Sequence, residues 1–457
     1  MRRVVILFSL LALAPPAFAD APSDARALLS QLISIDTSNP PGHEELAVAA
    51  VARQLRAAGV APEIVPFAPG RSSLVARYRG DGSKRPLLLL AHLDVVGAAG
   101  QPWTVPPFHL TEKDGWLYGR GVLDDKGFAA VATTVFLELV RTHAKLHRDV
   151  ILALTGDEES GGAGLREILA HHRALVGDAE LGLNEGGSIK LDEQGRVVSV
   201  SYQAAEKTYQ SFQLTAPGLG GHASVPNDEN AIYRLARALD KIHALVFPPR
   251  LGPTVREELR AMAAHSPDAR AAALRRLADA KGTPPASALA IVDEYPLTRA
   301  MVRTTCTATM LSGGTRENAL PVLARATLNC RLMPGDRTAD VERALIQAIG
   351  DPKIAVKRLE DNGAGPEIPV GGPVRDALER VSAQLFGKRA LVSASVGLGA
   401  TDSRFLRQLG IHSYGIGVMP KPEELIRSPH GPDEGAPATS VATGVHFLAA
   451  LVDALAR

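Results

Sequence analysis

Cysteine is nearly absent from this chain of 457 residues; only Cys306 and Cys330 are present. Two thiols cannot build a tetrahedral thiolate metal site. They flank Gly313-Gly314 at similar distances, so an antiparallel strand pair can bring them together, and both a single disulfide and two buried free thiols stay open. Neither sign of charge is in excess: 50 Lys and Arg stand against 49 Asp and Glu. A global basic field for nucleic acid is therefore excluded, and there is no acidic tail. There is no Walker-type phosphate loop and no Gly-X-Gly-X-X-Gly following a strand, so nucleotide binding has no basis. No stretch beyond the N-terminal segment approaches the roughly 20 apolar residues of a membrane helix. Internal repeats and low-complexity tracts are also missing.

What is present begins with a processing segment. Met1-Arg2-Arg3 is basic, residues 4–13 are apolar, and Ala17-Phe18-Ala19 is a small-X-small cleavage site before Asp20. The Arg pair lacks the rest of a twin-Arg signal, so the general secretory route is expected. Residues 1–19 are read as a signal peptide, and the mature protein as periplasmic or secreted, free of the membrane. With 46% hydrophobic and 22% charged residues, the composition is that of an ordinary globular chain long enough for two domains.

The clearest internal stretch is Leu87-Leu88-Leu89-Leu90-Ala91-His92-Leu93-Asp94. So short an apolar run, closed off by Pro86 and Gly97, predicts a strand buried on both faces. Around it, helices are expected at 23–33, 44–58 and 128–139, with strands at 71–78 and 150–154. Alternating strands and helices predict a mostly parallel, helix-covered sheet. After Glu206 the pattern changes. Strands at 209–216, 308–311, 324–332 and 354–359 and helices at 230–239 and 340–349 follow the β-α-β-β-α-β order of a ferredoxin-like unit. A charged, Ala-rich stretch at 253–280 reads as additional helix. Helix 374–386, strand 412–418 and helix 440–456 then return to the first pattern. The expected fold is α/β: a split catalytic domain (20–206 and 362–457) with an inserted α+β, ferredoxin-like lid or dimerisation domain (207–361).

Polar residues gather at the strand ends: His92, Asp94, Asp124, Glu158, Glu159, Glu185 and, much later, His430. Open α/β sheets collect their sites at the carboxyl ends of strands. Carboxylates and imidazoles meeting there would desolvate badly without a cation. Two divalent metals roughly 3.5–4 Å apart, bridged by a carboxylate, resolve that conflict. Imidazole with carboxylate suits zinc, with cobalt or manganese as alternatives.

Five motifs in order sharpen this. They are His92-Leu-Asp94-Val-Val, Gly119-Arg-Gly-Val-Leu-Asp124-Asp-Lys-Gly, Gly156-Asp-Glu158-Glu159-Ser-Gly-Gly, Asn184-Glu185-Gly-Gly and Pro429-His430-Gly-Pro-Asp-Glu. Together they resemble the M20 family of dinuclear zinc metallopeptidases, in its carboxypeptidase S and N-acyl-amino-acid hydrolase branch. The resemblance implies that Asp124 bridges two zinc ions, that His92 and Glu185 complete one site, and that Glu159 and His430 complete the other. It implies that Asp94 orients His92, that Glu158 is the general base, and that the Asp124–Asp125 peptide is cis. In the inserted domain it implies that His222 stabilises the oxyanion and that Asn318 and Arg331 bind the substrate carboxylate. Gly399 and Thr401 match the family's substrate loop, where Ala400 departs from the usual glycine. A homodimer through the inserted domain is implied as well. The expected activity is hydrolysis of an amide bond beside a free carboxylate by metal-bound hydroxide, as a carboxypeptidase, dipeptidase or N-acyl-amino-acid hydrolase. The alternatives are hydrolysis of other carbonyl–nitrogen bonds, reverse amide synthesis, and an inactive binding protein.

Overall fold

The computed structural model describes residues 20–359, 363, 365–422 and 429–457. The expected signal segment and the expected domain boundary at 361/362 lie outside the described residues. Two compact units divide the chain: Met1–Ser201 with Gly371–Val392 and Ile416–Arg457, and Tyr202–Val370 with Ser393–Gly415.

In the first unit, strand Leu87–His92 is the centre of the sheet. Its residues are all buried, as an uninterrupted apolar run demands. It pairs in parallel with Val150–Thr155 on one side and Leu181–Asn184 on the other. Arg71–Tyr78 and Glu63–Ala68 add antiparallel strands beyond Val150–Thr155; the strand at 63–68 was not foreseen. Helix Lys126–Arg141 packs on the central strand and against helices Ala21–Ile33 and Ser440–Ala456. Its Phe128, Val131, Val135 and Phe136 are buried. A second, unforeseen sheet matters more to the site. Gly435–Pro437 pairs with Trp116–Tyr118, Gly435 standing opposite Tyr118. This pairing carries the loop after His430 to the loop before Asp124.

The second unit contains a four-stranded antiparallel sheet of Thr305–Gly313, Leu323–Leu332, Thr208–Pro217 and Ala355–Arg358, in that spatial order. Helices Ala231–His243 and Thr338–Ile349 pack on it, with Phe212, Leu214, Leu235, Leu328 and Leu345 in the shared core. This is the β-α-β-β-α-β arrangement. Cys306 and Cys330 stand directly opposite in the ladder and form a disulfide, which resolves the alternative left open by the sequence.

The additional helical stretch extends further than 253–280. It comprises four helices, Pro253–Ala264, Asp268–Ala278, Ala286–Asp293 and Pro296–Val302, around a core that includes Leu259, Leu274, Leu277 and Val292. Residues Ser393–Gly415, expected in the returning catalytic segment, cluster with this second unit. The Glu257 and Glu258 carboxylates accept the backbone N–H groups of Ala394 and Val396 there.

Candidate metal centre

The parallel strands deliver their donors at one end. His92 closes its strand and is 2% exposed. Its Nδ1 lies 2.9 Å from the Asp94 carbonyl oxygen, which can only accept, so Nδ1 carries the proton and Nε2 is left for the site. The Asp94 carboxylate, expected to orient His92, stands 3.5 Å from the same nitrogen. That carboxylate also accepts from Asn39 Nδ2 at 2.9 Å, Glu158 N at 3.1 Å and Glu159 N at 3.2 Å. Asp94 thus holds the backbone of both glutamates.

Asp124 lies between two imidazoles. His92 Nε2 is 3.0 Å from Asp124 Oδ1, and His430 Nε2 is 3.3 Å from Asp124 Oδ2. Glu185 Oε1 is 3.8 Å from His92 Nε2, and Glu159 Oε2 is 3.0 Å from His430 Nε2. The donors form two triads, His92–Asp124–Glu185 and Asp124–Glu159–His430, each with its ligand atoms within 4.8 Å of one another. The Asp124–Asp125 peptide is cis. Asp125 Oδ2 accepts the His92 backbone N–H at 3.2 Å.

The electrostatics fit a cationic centre. Burial and then the Asp124 charge push Glu185 well above the usual carboxylate range, against the pull of His92. Burial opposes charge on His92, but hydrogen bonding to Asp124 and Asp94 outweighs it and holds His92 well above its ordinary value. Hydrogen bonds to Asp124 and Glu159 push His430 up to about 10. The acids demand positive charge, and among the described residues the imidazoles of His92 and His430 stand within ion-pair distance of them. Two nitrogens and three carboxylates, one of them shared, are the donor set for a pair of divalent ions.

Two residues the sequence reading quoted inside motifs, without a role, hold this geometry. The buried Glu434 carboxylate accepts from the backbone N–H of Gly121 at 3.0 Å, Leu123 at 2.7 Å and Asp124 at 3.1 Å. Arg120 Nη1 donates to the same carboxylate at 2.8 Å, while Nη2 donates to Gln101 Oε1 at 2.7 Å and to the Gly431 carbonyl at 3.1 Å. The Arg120 guanidinium lies over the Trp103 ring, 5.0 Å from its centroid. A third residue, Asp157, also quoted within a motif without a role, supports the Glu158 loop. Asp157 Oδ1 accepts from Asn39 Nδ2 at 3.1 Å and Arg71 Nη1 at 2.9 Å. Placing a charged residue inside its own motif was the available signal; which atoms it faces was not.

The remaining expected site residues lie in the second unit. His222 is exposed on a short strand paired with Ala319–Leu320, its Nδ1 2.6 Å from Ser224 Oγ. Asn318 is exposed beside it, and its carbonyl accepts the Ala223 N–H. Arg331 Nε donates to Asn329 Oδ1 at 3.1 Å, and its guanidinium lies over Tyr209. Gly399 is exposed, but Thr401 is buried and committed: its N and Oγ1 donate to Glu206 Oε2 at 3.1 and 2.8 Å.

Comparison with known proteins gives the setting. The family model described as Peptidase family M20/M25/M40 matches residues 88–454. The human protein named N-fatty-acyl-amino acid synthase/hydrolase PM20D1 is 29% identical over 393 residues, covering 83% of this chain and 76% of its own length. A Dictyostelium discoideum protein named Probable carboxypeptidase S-like 2 is 28% identical over 371 residues, covering 79% and 70%. The crystal structure of human carnosine dipeptidase 1 shares the fold, with a TM-score of 0.69 at 16% identity over 96% of this chain and 98% of that one. The family match runs through every donor of both triads, and the chain belongs to the M20/M25/M40 peptidase family.

Proposed function

We propose that this chain is an exported, two-zinc amidohydrolase. It cleaves the amide bond beside the free carboxylate of an N-acyl amino acid, dipeptide or short peptide. The observation that carries the reading is the Asp124 carboxylate, whose two oxygens face different imidazoles and so divide the donors into two triads. When bound, the metal pair polarises the amide carbonyl and makes water acidic enough to attack it.

The chain's own groups supply the rest. Glu158, held by its backbone N–H on Asp94, takes the proton from the attacking water and delivers it to the leaving nitrogen. His222 hydrogen-bonds the developing oxyanion. Arg331 and Asn318 receive the substrate carboxylate, a fork of donors suiting the planar group. The Gly399 backbone completes the substrate loop, and Thr401 holds that loop through Glu206.

Export rests on the N-terminal basic, apolar and small-residue pattern. Among the described residues no helix is long and apolar enough to cross a membrane. The second unit serves as the lid and as a homodimer surface. In support, strand Thr305–Gly313 is an outer strand of its sheet, with Met310 and Leu311 68% and 71% exposed. The name of the human relative also favours a second reading, amide synthesis by the same centre run in reverse.

A panel of acyl amino acids and dipeptides, assayed with zinc, cobalt and manganese and again after chelation, tests the proposal. Chelation is expected to abolish cleavage and zinc to restore it. Cleavage that persists in metal-free enzyme would sink it.

A further inference from the structure

Beside the two triads lies a cavity of about 200 Å³. Asp124 and Glu185 line one part of it, and Phe128, Val418 and Met419 supply apolar wall. Lys421 also lines it. This lysine is only partly exposed, and among the described residues it makes no hydrogen bond and no ion pair.

Among the described residues, Asp124 and Glu434 attract its ammonium and Lys190 repels it. None of them neutralises it. Asp124 is taken by His92 and His430, and serves the metals when they are bound. Glu434 is satisfied by Arg120 and three backbone N–H groups. Lys190 is itself a cation, standing opposite Lys421 in a parallel strand pair. A desolvated ammonium without an acceptor is costly, and a carboxylate offered to it forms a charge-assisted hydrogen bond. Size sets a second condition. A cavity of roughly 150 Å³ accommodates benzene, so this one takes about six to eight non-hydrogen atoms, far fewer than a fatty acyl chain.

We propose that this cavity is a specificity subsite for a short substrate arm ending in a carboxylate, received by Lys421 Nζ. The inference rests on the amidohydrolase reading of the neighbouring metal centre. Such an arm comes from one of two sources: an acyl group derived from a dicarboxylic acid, or an acidic amino-acid side chain.

Two measurements on the full-length zinc-loaded enzyme decide it. The first compares kcat/KM for N-succinyl-leucine against N-butanoyl-leucine, and for N-acetyl-glutamate against N-acetyl-norvaline. One anionic member is expected to exceed its neutral partner tenfold or more, and which pair responds identifies the source. In Lys421→Met that ratio is expected to fall within about twofold of one, while Lys421→Arg retains it. Because a ratio is read, partial loss of folded enzyme leaves the result intact. The second measures binding of glutarate and pentanoate by calorimetry, which requires no turnover. Glutarate is expected to bind at least tenfold tighter to wild type, but not to Lys421→Met. If no amide is cleaved, the amidohydrolase reading falls while the glutarate comparison still decides the subsite. Equal binding of the two acids to wild type, or a preference that survives in Lys421→Met, overturns the proposal.

Discussion

Arg120 donates to Glu434 at 2.8 Å, with both side chains at 1% exposure or less. The pair joins the chain entering Asp124, the donor common to both triads, to the chain leaving His430. Removing one charge of a buried pair leaves the other uncompensated, at a cost of about 3–5 kcal/mol. Glu434→Gln keeps the volume and drops the charge facing Arg120. It is expected to weaken binding of one metal by roughly 10- to 100-fold, read as a second, weaker event in zinc calorimetry. Two equally tight metals in that variant would show the clamp to be irrelevant to the centre.

Glu158 is not among the donors of either triad, although its sequence neighbour Glu159 is. Glu158→Ala is therefore expected to retain both metals and lose about 10²–10⁴-fold in kcat. Metal content and turnover are measured on the same sample. Activity that survives with the metals in place removes the general-base assignment.

Asp94 accepts three N–H donors, two of them from the backbone of Glu158 and Glu159. Asn offers one oxygen and turns an NH₂ toward a donor. Asp94→Asn is expected to cost about 1–3 kcal/mol in stability and to lower kcat, since the base is carried on that backbone. Thermal melting and steady-state kinetics read the two effects. A variant equal to wild type in both would make Asp94 an ordinary buried acid.

Metal uptake should release protons. In the metal-free chain, hydrogen bonds to Asp124 and Glu159 hold His430 at about 10, so it carries its proton at neutral pH. A metal displaces that proton, and affinity therefore falls as pH is lowered. Zinc calorimetry at pH 7.5, repeated in buffers of different ionisation enthalpy, counts the protons. Zero release contradicts the assignment of His430 as a donor.

The disulfide closes a loop spanning 24 residues in the second unit, whereas both metal triads lie in the first. Replacing Cys306 and Cys330 by serine is expected to destabilise the second unit by about 3 kcal/mol through the entropy of the unfolded loop. Denaturant melts should show this loss, while zinc stoichiometry stays at two. A fall in zinc stoichiometry would refute this separation.

The candidate site residues were legible in the sequence because they sit in short motifs, and their expected roles came from the resemblance those motifs carry. A buried strand ending in His92, the acidic motifs around Asp124, Glu158 and Glu159, and Asn184-Glu185-Gly-Gly are local patterns, because strand ends deliver side chains without help from distant chain. The β-α-β-β-α-β order of the second unit was legible for the same reason, since hydrophobic period and turn residues are local. Pairings between distant segments were not. That Glu434 serves the Asp124 loop follows from Gly435 pairing with Tyr118, and that the Asp94 carboxylate holds the Glu158 backbone while its carbonyl accepts from His92 follows from ångström-scale packing. The cysteines make the same point: their spacing allowed a bridge, and only the ladder register, Cys306 opposite Cys330, formed it. Composition and motif order determine which atoms are available; long-range strand register decides which of them meet, because a shift of one residue sends every side chain to the other face.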